Sequence, residues 1–169
     1  RQRQMCIRDR ITFVDCPGYL PGVDQEYNGV IRHGAKIIYA YCESTVPKIS
    51  VVTRKAIGGS YVALGSRQMG TDVTFAWPTA QIAVMGPEGA APLINGRQIC
   101  EASNPDMERR RFIQEYRQRF FNPYRAADIG QIDEVIEPRE TRFQLAQALD
   151  LLQTKVVNVV PKKHGLFPV

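Results

Sequence analysis

Two glycine-containing loops carry the residue types in this sequence that are most able to do chemistry. The first loop comprises residues 15–22 (DCPGYLPG), and the second is the Gly-Gly-Ser turn of residues 58–60. Each follows a strand candidate and precedes a helix candidate, and glycine lets a ligand approach the backbone closely. A helix N-terminus offers unpaired backbone N–H groups and a partial positive charge. Two such donors aimed at one point form an oxyanion hole, which stabilises charge developing on a carbonyl oxygen.

The Gly-Gly-Ser turn also has a purely structural interpretation, in which its glycines only let a helix pack closely against a strand. The spacing excludes three other kinds of site. The phosphate-binding pattern G-x-x-x-x-G-K-[ST] and the dinucleotide pattern G-x-G-x-x-G are both absent. Because Gly-x-Ser-x-Gly is absent too, Ser60 is a weak candidate for a nucleophile.

The remaining polar residues do not form a recognisable catalytic group. His33 and His164 are far apart and have no carboxylate at ligand spacing, so we expect no metal site. Residues 109–119 contain a basic patch of arginines, which is typical of a solvated or subunit-facing helix surface. No Ser/His/Asp or Cys/His set is evident. Backbone electrostatics is therefore the best-supported catalytic device.

Alternating strand and helix patterns must position these loops. Strands are predicted at residues 11–15, 48–53, 72–76, 81–85 and 133–136, and helices at residues 25–42, 61–69, 86–100, 105–121, 123–130 and 138–152. Asp24 is the predicted N-cap of the first helix. Asn104 is that of the helix whose inward face carries Phe112, Ile113, Tyr116 and Phe120. This alternation predicts an α/β layered fold.

Charge and composition limit the function classes. The chain has 169 residues and a formal net charge of +5, with a pI near 9.2. Four arginines and one aspartate within residues 1–10 supply +3 of that charge, which leaves +2 for residues 11–169. The near-neutral remainder, with no recognition motif, gives no reason to invoke nucleic acid. No apolar run approaches the about 20 residues of a membrane span.

The first ten residues differ from the rest of the chain. They show no hydrophobic period and no targeting pattern, so we interpret residues 1–10 as a non-native or unstructured tail and residues 11–169 as one domain. Cys6 belongs to this tail, which leaves Cys16, Cys42 and Cys100. Three cysteines without CxxC spacing predict neither a disulfide framework nor zinc, and a reducing, cytosolic compartment is expected.

Motifs spread over residues 11–169 resemble one known family. They include TFVDCPGY (12–19), IRHGAK (31–36), VPKI (46–49), TRKA (53–56), GGSY (58–61), AWPTA (76–80), IAVMG (82–86), NPY (122–124), EPRETR (137–142) and PKKHG (161–165). Together they resemble the C-terminal half of biotin-dependent carboxyltransferases, the β subunits of propionyl-CoA and acetyl-CoA type acyl-CoA carboxylases.

The resemblance implies a crotonase-like (ClpP/crotonase) α/β fold of β-β-α superhelical turns. It implies transfer of a carboxyl group from carboxybiotin, held on a carrier protein, to the α-carbon of a short-chain acyl-CoA. By the same likeness, Gly58, Gly59, Ser60 and Tyr61 bind the cofactor, and the backbone N–H groups of Gly59 and Ser60 hold the biotin carbonyl oxygen. Biotin itself then takes the α-proton of the substrate, so neither a protein base nor a metal is implied.

Two departures from the family pattern bear on this expectation. Ser60 stands where many relatives have alanine, which should matter little because the backbone N–H acts. Val62 stands where many propionyl-preferring members have aspartate, at a position linked in the family to the choice of acyl chain. The preferred acyl-CoA, propionyl-CoA or acetyl-CoA, therefore stays open.

The resemblance also implies partners. These are a biotin carboxylase and biotin carrier α subunit, the N-terminal carboxyltransferase domain of the same subunit, and further β subunits in a homo-hexamer. Neither nucleic acid nor a membrane is expected, and the compartment is the cytoplasm, or the mitochondrial matrix in a eukaryote. Since the glycines that hold the CoA thioester belong to the N-terminal half, the isolated chain should be inactive. The alternatives are a biotin-dependent decarboxylase or transcarboxylase subunit, or a non-catalytic module that docks the carrier.

Overall fold

A computed structural model of the protein describes residues 8–158. Its strands are β1 (Arg10–Cys16), β2 (Lys48–Ile57), β3 (Val73–Ala76), β4 (Gln81–Ala83) and β5 (Glu134–Val135). Its α-helices are α1 (Val23–Tyr27), α2 (Val30–Glu43), α3 (Gly58–Ala63), α4 (Pro87–Glu101), α5 (Pro105–Phe120), α6 (Pro123–Asp128) and α7 (Thr141–Leu151). Short 3₁₀ turns cover Arg67–Met69 and Pro138–Glu140. The predicted α/β alternation is confirmed.

The sheet is parallel in every strand pair of residues 8–158, with the order β1-β2-β3-β5. Along one edge, the ten-residue strand β2 pairs with two strands in succession. Its first part pairs with β3, up to Val52 opposite Ala76, and its last part pairs with β4, where Ile57 lies opposite Ala83. The Gly-Gly-Ser turn therefore begins at the end of β2, next to β4.

The core lies on both faces of β2. Val51 and Val52 are adjacent in sequence, so their side chains point to opposite faces, and both are fully buried. Val52 packs in one apolar cluster with Tyr61 and Ala126, while Val51 packs in another that includes Leu145 of α7. Burial on both faces over residues 48–52 allows apolar β-branched residues at adjacent positions, whereas residues 53–55 are partly exposed and polar.

The first predicted helix is divided in two. Gly29 has φ +78°, in the left-handed region, so α1 ends before it and α2 starts after it. The prediction that Asp24 caps this helix was wrong, because Gly22 occupies the N-cap position and Asp24 lies within the first turn. An acidic side chain there still interacts favourably with the helix dipole.

Residue 10 is the first residue of β1, and its Cα pairs with that of Lys48. Strand β1 therefore starts one residue before the domain boundary drawn from sequence. Residues 1–7 lie outside the described part of the chain, and their interpretation as a tail stays a prediction. The PKKHG motif and His164 also lie outside it.

The predicted helix over residues 61–69 is shorter and starts earlier. Helix α3 begins at Gly58 and ends at Ala63, because Gly65 has φ +88°, which a continuing helix cannot accommodate. The Gly65 carbonyl accepts hydrogen bonds from Ser50 Oγ at 2.6 Å and Thr71 Oγ1 at 2.7 Å. This glycine is thus a packed junction between α3, β2 and the approach to β3.

Replacing Gly65 with alanine is expected to destabilise the protein by about 2–3 kcal/mol. A Cβ there would lie 2.7 Å from Tyr41 Cε1 and 3.3 Å from Ser50 Oγ, on a backbone that L side chains rarely adopt. Urea unfolding measures the loss. Gly89→Ala is the matched control, because nothing lies within 4 Å of its Cβ position in α4 and helix propensity favours alanine. Equal stability of the two variants would contradict the packing argument.

Helix α5 has the predicted start but not the predicted burial. Asn104 Oδ1 accepts from the Met107 N–H at 3.1 Å, which confirms the cap. The inward orientation of Phe120 was wrong, since 42% of it is exposed and α5 has no fully buried residue. The physical reason is that α5 packs mainly on α4 rather than on the sheet, so its aromatic stripe is covered on one side only.

Candidate functional site

The Gly-Gly-Ser turn joins β2 directly to α3. Gly58 has φ +65°, and a Cβ on it would lie 3.1 Å from the Val84 carbonyl oxygen, so glycine is required at this position. Gly59 and Ser60 follow as the second and third residues of α3. Backbone N–H groups at these positions have no acceptor within the helix. The turn therefore offers the two adjacent donors that the sequence suggested.

The Ser60 side chain is already engaged. Its hydroxyl is buried and donates to the Ile57 carbonyl at 3.0 Å. A hydroxyl held in this way closes the turn locally, as short polar side chains do at helix starts. Among the described residues no histidine or carboxylate is hydrogen-bonded to it, so the chemistry available at Ser60 is that of its backbone N–H.

A cavity of about 680 Å³ lies beside the turn. Four of the five residues predicted for the site, namely Gly58, Gly59, Tyr61 and Val62, line it, whereas Ser60 does not. The wall also includes Val84, Ile94, Phe120 and Ile129. Its size and apolar wall suit an organic ligand with a few polar atoms.

The sequence reasoning missed the wall residues beyond α3. They come from the Arg67–Met69 turn, from β4 and the loop after it, from α4, α5 and α6, and from the segment just after α6, and nothing in their local pattern marks them as neighbours of the Gly-Gly-Ser turn. The aromatic stripe of α5 was the available signal, since Phe120 and Tyr116 both line the cavity. The Tyr116 ring lies 5.4 Å from the Phe120 ring, centroid to centroid.

Polar residues are few in this wall. Of the cavity residues in the described part of the chain, Arg125 alone carries a charge, and Gln68 and Gln131 add amides. The Arg125 guanidinium makes a long ion pair of 3.7 Å with Asp128, and both side chains are largely exposed. A pair of this kind is weak, so the positive charge at this edge of the cavity is only partly neutralised.

Tyr61 holds a phenol inside the protein. The residue is 5% exposed, and its hydroxyl is buried without a hydrogen-bond partner among residues 8–158. Burial raises the pKa of Tyr61 to about 12. Because the charged form is disfavoured, Tyr61 stays neutral at physiological pH and is unsuited to act as a base.

Tyr61→Phe is expected to leave stability unchanged or to raise it by up to about 1 kcal/mol, because it removes a buried polar atom that has no partner. Urea unfolding of the variant beside the wild type measures this. Ser50→Ala is the matched control, since the buried Ser50 hydroxyl does have a partner, the Gly65 carbonyl at 2.6 Å. A larger loss in Tyr61→Phe than in Ser50→Ala would contradict the assignment of an unpaired phenol.

The first loop, residues 15–22, is tied to β2 by an ion pair. The Asp15 carboxylate accepts from Arg54 Nε at 3.0 Å and from the Lys55 N–H at 3.2 Å. The Arg54 hydrogen bond, more than any other contact, lowers the pKa of Asp15. Because the Asp15 carboxylate is engaged by Arg54 and Lys55, it anchors the loop to β2 and is not free to act as an acid or base.

The remaining candidates do not join the site. His33 is exposed on α2. In the α5 patch, the guanidinium groups of Arg111, Arg117 and Arg119 pair with Glu108, Glu88 and Glu115. Cys16, Cys42 and Cys100 are free thiols. Within residues 8–158, no three His, Cys, Asp or Glu side chains are grouped to ligate a metal, and no helix has the length and apolarity to span a bilayer.

A comparison with known families decides the relationship. A family model described as the carboxyl transferase domain matches residues 5–167, nearly the whole chain. The chain belongs to this carboxyl transferase family. The resemblance drawn from the sequence motifs is thereby confirmed.

Similar members of the carboxyl transferase family are named as subunits of carboxylases, carboxyltransferases and decarboxylases. The chain is 52% identical to a propionyl-CoA carboxylase carboxyltransferase subunit of Haloferax mediterranei and 54% identical to the methylmalonyl-CoA carboxyltransferase 12S subunit of Propionibacterium freudenreichii. It is 51% identical to methylmalonyl-CoA decarboxylase subunit alpha of Propionigenium modestum. Each match covers 94% of this chain but only 30–31% of the relative. The chain thus spans less than a third of their length.

Solved structures of the family agree with the fold. A transcarboxylase 12S structure, described as a hexamer with methylmalonyl-CoA bound, superposes with a TM-score of 0.90 at 54% identity, over 94% of this chain and 31% of that one. The β subunit of a Pseudomonas aeruginosa geranyl-CoA carboxylase has the same fold, with a TM-score of 0.77 at 24% identity. The expected crotonase-like α/β fold is confirmed.

Proposed function

We propose that this chain is the biotin-accepting part of an acyl-CoA carboxyltransferase subunit. The reaction is transfer of a carboxyl group from carboxybiotin, on a carrier protein, to the α-carbon of a short-chain acyl-CoA such as propionyl-CoA or acetyl-CoA. The observation that carries the proposal is the Gly-Gly-Ser turn. It opens at a helix N-terminus on a cavity, in a chain more than 50% identical to carboxyltransferase subunits.

The residues present fit biotin. Its sulfur-containing ring is apolar, as is the wall made by Val84 and Ile129, its ureido ring carries the carbonyl that the turn would bind, and a cavity of about 680 Å³ has room for both rings. A side chain at Gly58 would reach the Val84 carbonyl, so the turn is an open cradle only because glycine stands there. Biotin, when bound, supplies the carboxyl group.

The proposed catalytic contribution of this chain comes from backbone N–H groups. The Gly59 and Ser60 N–H groups would donate to the biotin carbonyl oxygen, where negative charge grows as the carboxyl group leaves. Donors fixed before the reaction need no reorganisation during it, and a site sheltered from water strengthens them. Since these donors are backbone groups, no titratable residue of this chain is needed, and the neighbouring Tyr61 adds no charge because its buried phenol stays neutral.

Val62 is the proposed determinant of acyl-chain choice. It lines the cavity three residues after Gly59, on the wall that also carries Ile82. An apolar side chain here favours contact with an alkyl group by burial of apolar area. The measurement that tests this role is the acyl-chain length that the complete subunit prefers.

The proposed partners follow from the size of the relatives. The CoA thioester would be held by an N-terminal carboxyltransferase domain, and the complete subunit would act in a hexamer with a biotin carboxylase and biotin carrier subunit. The relatives support this, because they are named as subunits and the transcarboxylase 12S structure is described as a hexamer. We place the enzyme in the cytoplasm, or in the mitochondrial matrix of a eukaryote.

A second candidate function rests on the relatives' names. A decarboxylase subunit and a transcarboxylase subunit match at 51% and 54% identity, about as well as the carboxylase. A biotin carboxylase partner would favour the carboxylase, and a membrane sodium-pump partner would favour the decarboxylase. A module that only docks the carrier would bind biotin without turnover.

Reconstitution tests the proposal. The complete subunit that contains this chain is combined with the biotinylated carrier, biotin carboxylase, ATP and bicarbonate, and then given acetyl-, propionyl- and longer acyl-CoA. We expect carboxylation of a short-chain acyl-CoA by the complete subunit and none by the isolated 169-residue chain. Turnover by the isolated chain, or biotin binding without transfer by the complete subunit, would contradict it.

A further inference from the structure

The ring of Tyr19 fills the space between two glycines on different helices. A Cβ built on Gly34 in α2 would overlap Tyr19 Oη and lie 2.9 Å from Cε1. A Cβ built on Gly59 would lie 3.8 Å from Cε2. Because Cε1 and Cε2 are on opposite edges of the ring, one edge of Tyr19 packs on Gly34 of α2, and the other edge faces Gly59 with room for one carbon atom between them.

Two features of the fold fix the position of the Tyr19 ring: its own loop is anchored to β2, and Gly34 leaves room for it on α2. The loop that carries Tyr19 starts at Asp15, whose carboxylate is bound to Arg54 and to the Lys55 N–H of β2. On the other side, Gly34 is the one fully buried residue of α2, and a side chain there would displace the ring. Tyr19 is 38% exposed, so its ring is partly buried between the two glycines.

The turn needs support of this kind. Gly59 has no side chain that could pack against a neighbour, so the position of its N–H group depends on the residues around the turn. Small displacements of such groups are costly, since a misplacement of about 1 Å can reduce a rate by about 10²-fold. An aromatic ring held by a neighbouring helix supplies rigidity that the glycines lack.

We propose that Tyr19 is a positioning residue for carboxyl transfer: its ring, seated on Gly34, fixes Gly59 and so orients the Gly59 and Ser60 N–H groups toward the cavity. This rests on the proposed function of that turn. The ring is the active part and the hydroxyl is not. Burial, followed by the neighbouring Cys16, raises the pKa of Tyr19, so the phenol carries no charge at neutral pH.

Two substitutions of Tyr19 in the complete subunit separate positioning from folding. Tyr19→Ala removes the ring, and we expect kcat to fall by about 10–100-fold with the KM for acyl-CoA nearly unchanged. Tyr19→Phe keeps both ring edges, and we expect it to retain kcat within about twofold. Tyr27→Ala, at a tyrosine of α1 that is 89% exposed, is the matched control.

A second readout does not depend on turnover. Amide hydrogen exchange, followed by mass spectrometry, should be faster at residues 58–61 in Tyr19→Ala than in Tyr19→Phe or the wild type. Gly34→Ala supplies a test from the other side, because its methyl group pushes the ring toward Gly59. We expect Gly34→Ala to lower kcat in the wild type and to have a smaller effect in the Tyr19→Ala background.

The outcomes distinguish this inference from the proposed function. Wild-type kcat and wild-type exchange in Tyr19→Ala would overturn the positioning role. Equal losses in Tyr19→Phe and Tyr19→Ala, or additive effects of Gly34→Ala and Tyr19→Ala, would also overturn it. Absence of transfer by the wild-type subunit would instead overturn the proposed function, and the exchange measurement would still report whether Tyr19 holds the turn.

Discussion

Gly59→Pro is expected to lower carboxyl transfer by the complete subunit at least about 10²–10³-fold, the usual effect of losing one oxyanion donor. Proline has no N–H, so the substitution deletes one of the two proposed donors. Proline is tolerated in the first turn of a helix, where its N–H would have no intrahelical acceptor. Acyl-CoA binding should remain nearly intact, because the CoA thioester is proposed to be held by the N-terminal carboxyltransferase domain. Steady-state kinetics and equilibrium binding of acyl-CoA measure the two properties separately.

Gly59→Ala is the matched comparison for this experiment. Alanine keeps the N–H, and its Cβ would lie 3.8 Å from Tyr19 Cε2, an ordinary van der Waals distance. We therefore expect a far smaller loss than with proline. Circular dichroism and thermal unfolding of both variants check that each one folds. A parallel loss of transfer and acyl-CoA binding in Gly59→Pro would indicate misfolding, and equal kinetics of the two variants would contradict the donor role.

The second large effect is expected at Asp72, which joins distant parts of the chain. Its Oδ2 accepts from the Lys48 backbone N–H at 2.7 Å and from Lys155 Nζ at 2.7 Å. Lys48 is 4% exposed, and its Nζ donates to the carbonyls of Tyr41 at 2.8 Å and Met69 at 3.2 Å. Two cations therefore lie near a single largely buried carboxylate.

Asp72→Ala is expected to destabilise the complete subunit by about 3–5 kcal/mol, the usual cost of leaving a buried charge without its partner. Urea unfolding at pH 7 measures the loss. Asp128→Ala is the matched control, since its ion pair with Arg125 is long and exposed, and it should change stability by less than about 0.5 kcal/mol. Similar stabilities of the two variants would show that the buried arrangement contributes little.

The loss in Asp72→Ala should also depend on pH. Burial, and secondarily the charge of Lys155, lowers the pKa of Lys48, while Asp72 opposes both. Removing Asp72 therefore lowers the pKa of Lys48 further. Above the folded-state pKa of Lys48 and below its ordinary value of 10.5, the unfolded chain binds more protons than the folded one, so stability rises with pH. The gap between variant and wild type should narrow as pH increases in that window, and a gap that widens would contradict this account.

Local signals in the sequence were sufficient for most elements. The β-branched run after Pro47 predicted β2, although the strand continues to Ile57. Asn104 and Asn122 each precede a proline, and both cap helices: Asn104 as predicted, and Asn122 at the predicted start of the short helix, with its Oδ1 accepting from the Arg125 N–H at 3.0 Å. Such signals are reliable because the cap and the first turn lie within a few residues of each other. The motif likeness added the family, which no spacing rule supplied.

Other features depended on backbone conformation that side-chain patterns do not encode. The apolar stripe from Tyr27 through Ile38 is compatible with one helix, yet the left-handed Gly29 divides it. Gly65 ends α3 in the same way. Glycine adopts either sign of φ at little cost, so its presence alone does not say which one the fold selects.

The sequence by itself determined the α/β alternation, the strand–turn–helix arrangement at residues 58–60 and the carboxyltransferase family, since these depend on residue order and local preference. Only the tertiary structure decided what surrounds the turn. It placed Tyr19 next to Gly59. It also placed Phe120 and Ile129 in the wall of the cavity, and it brought Lys155 into contact with Asp72. These contacts join residues tens of positions apart, and their formation depends on how β2 divides its hydrogen bonds between β3 and β4 and how α4 and α5 pack beside them. Periodicity describes one element at a time, whereas the site is made where several elements meet.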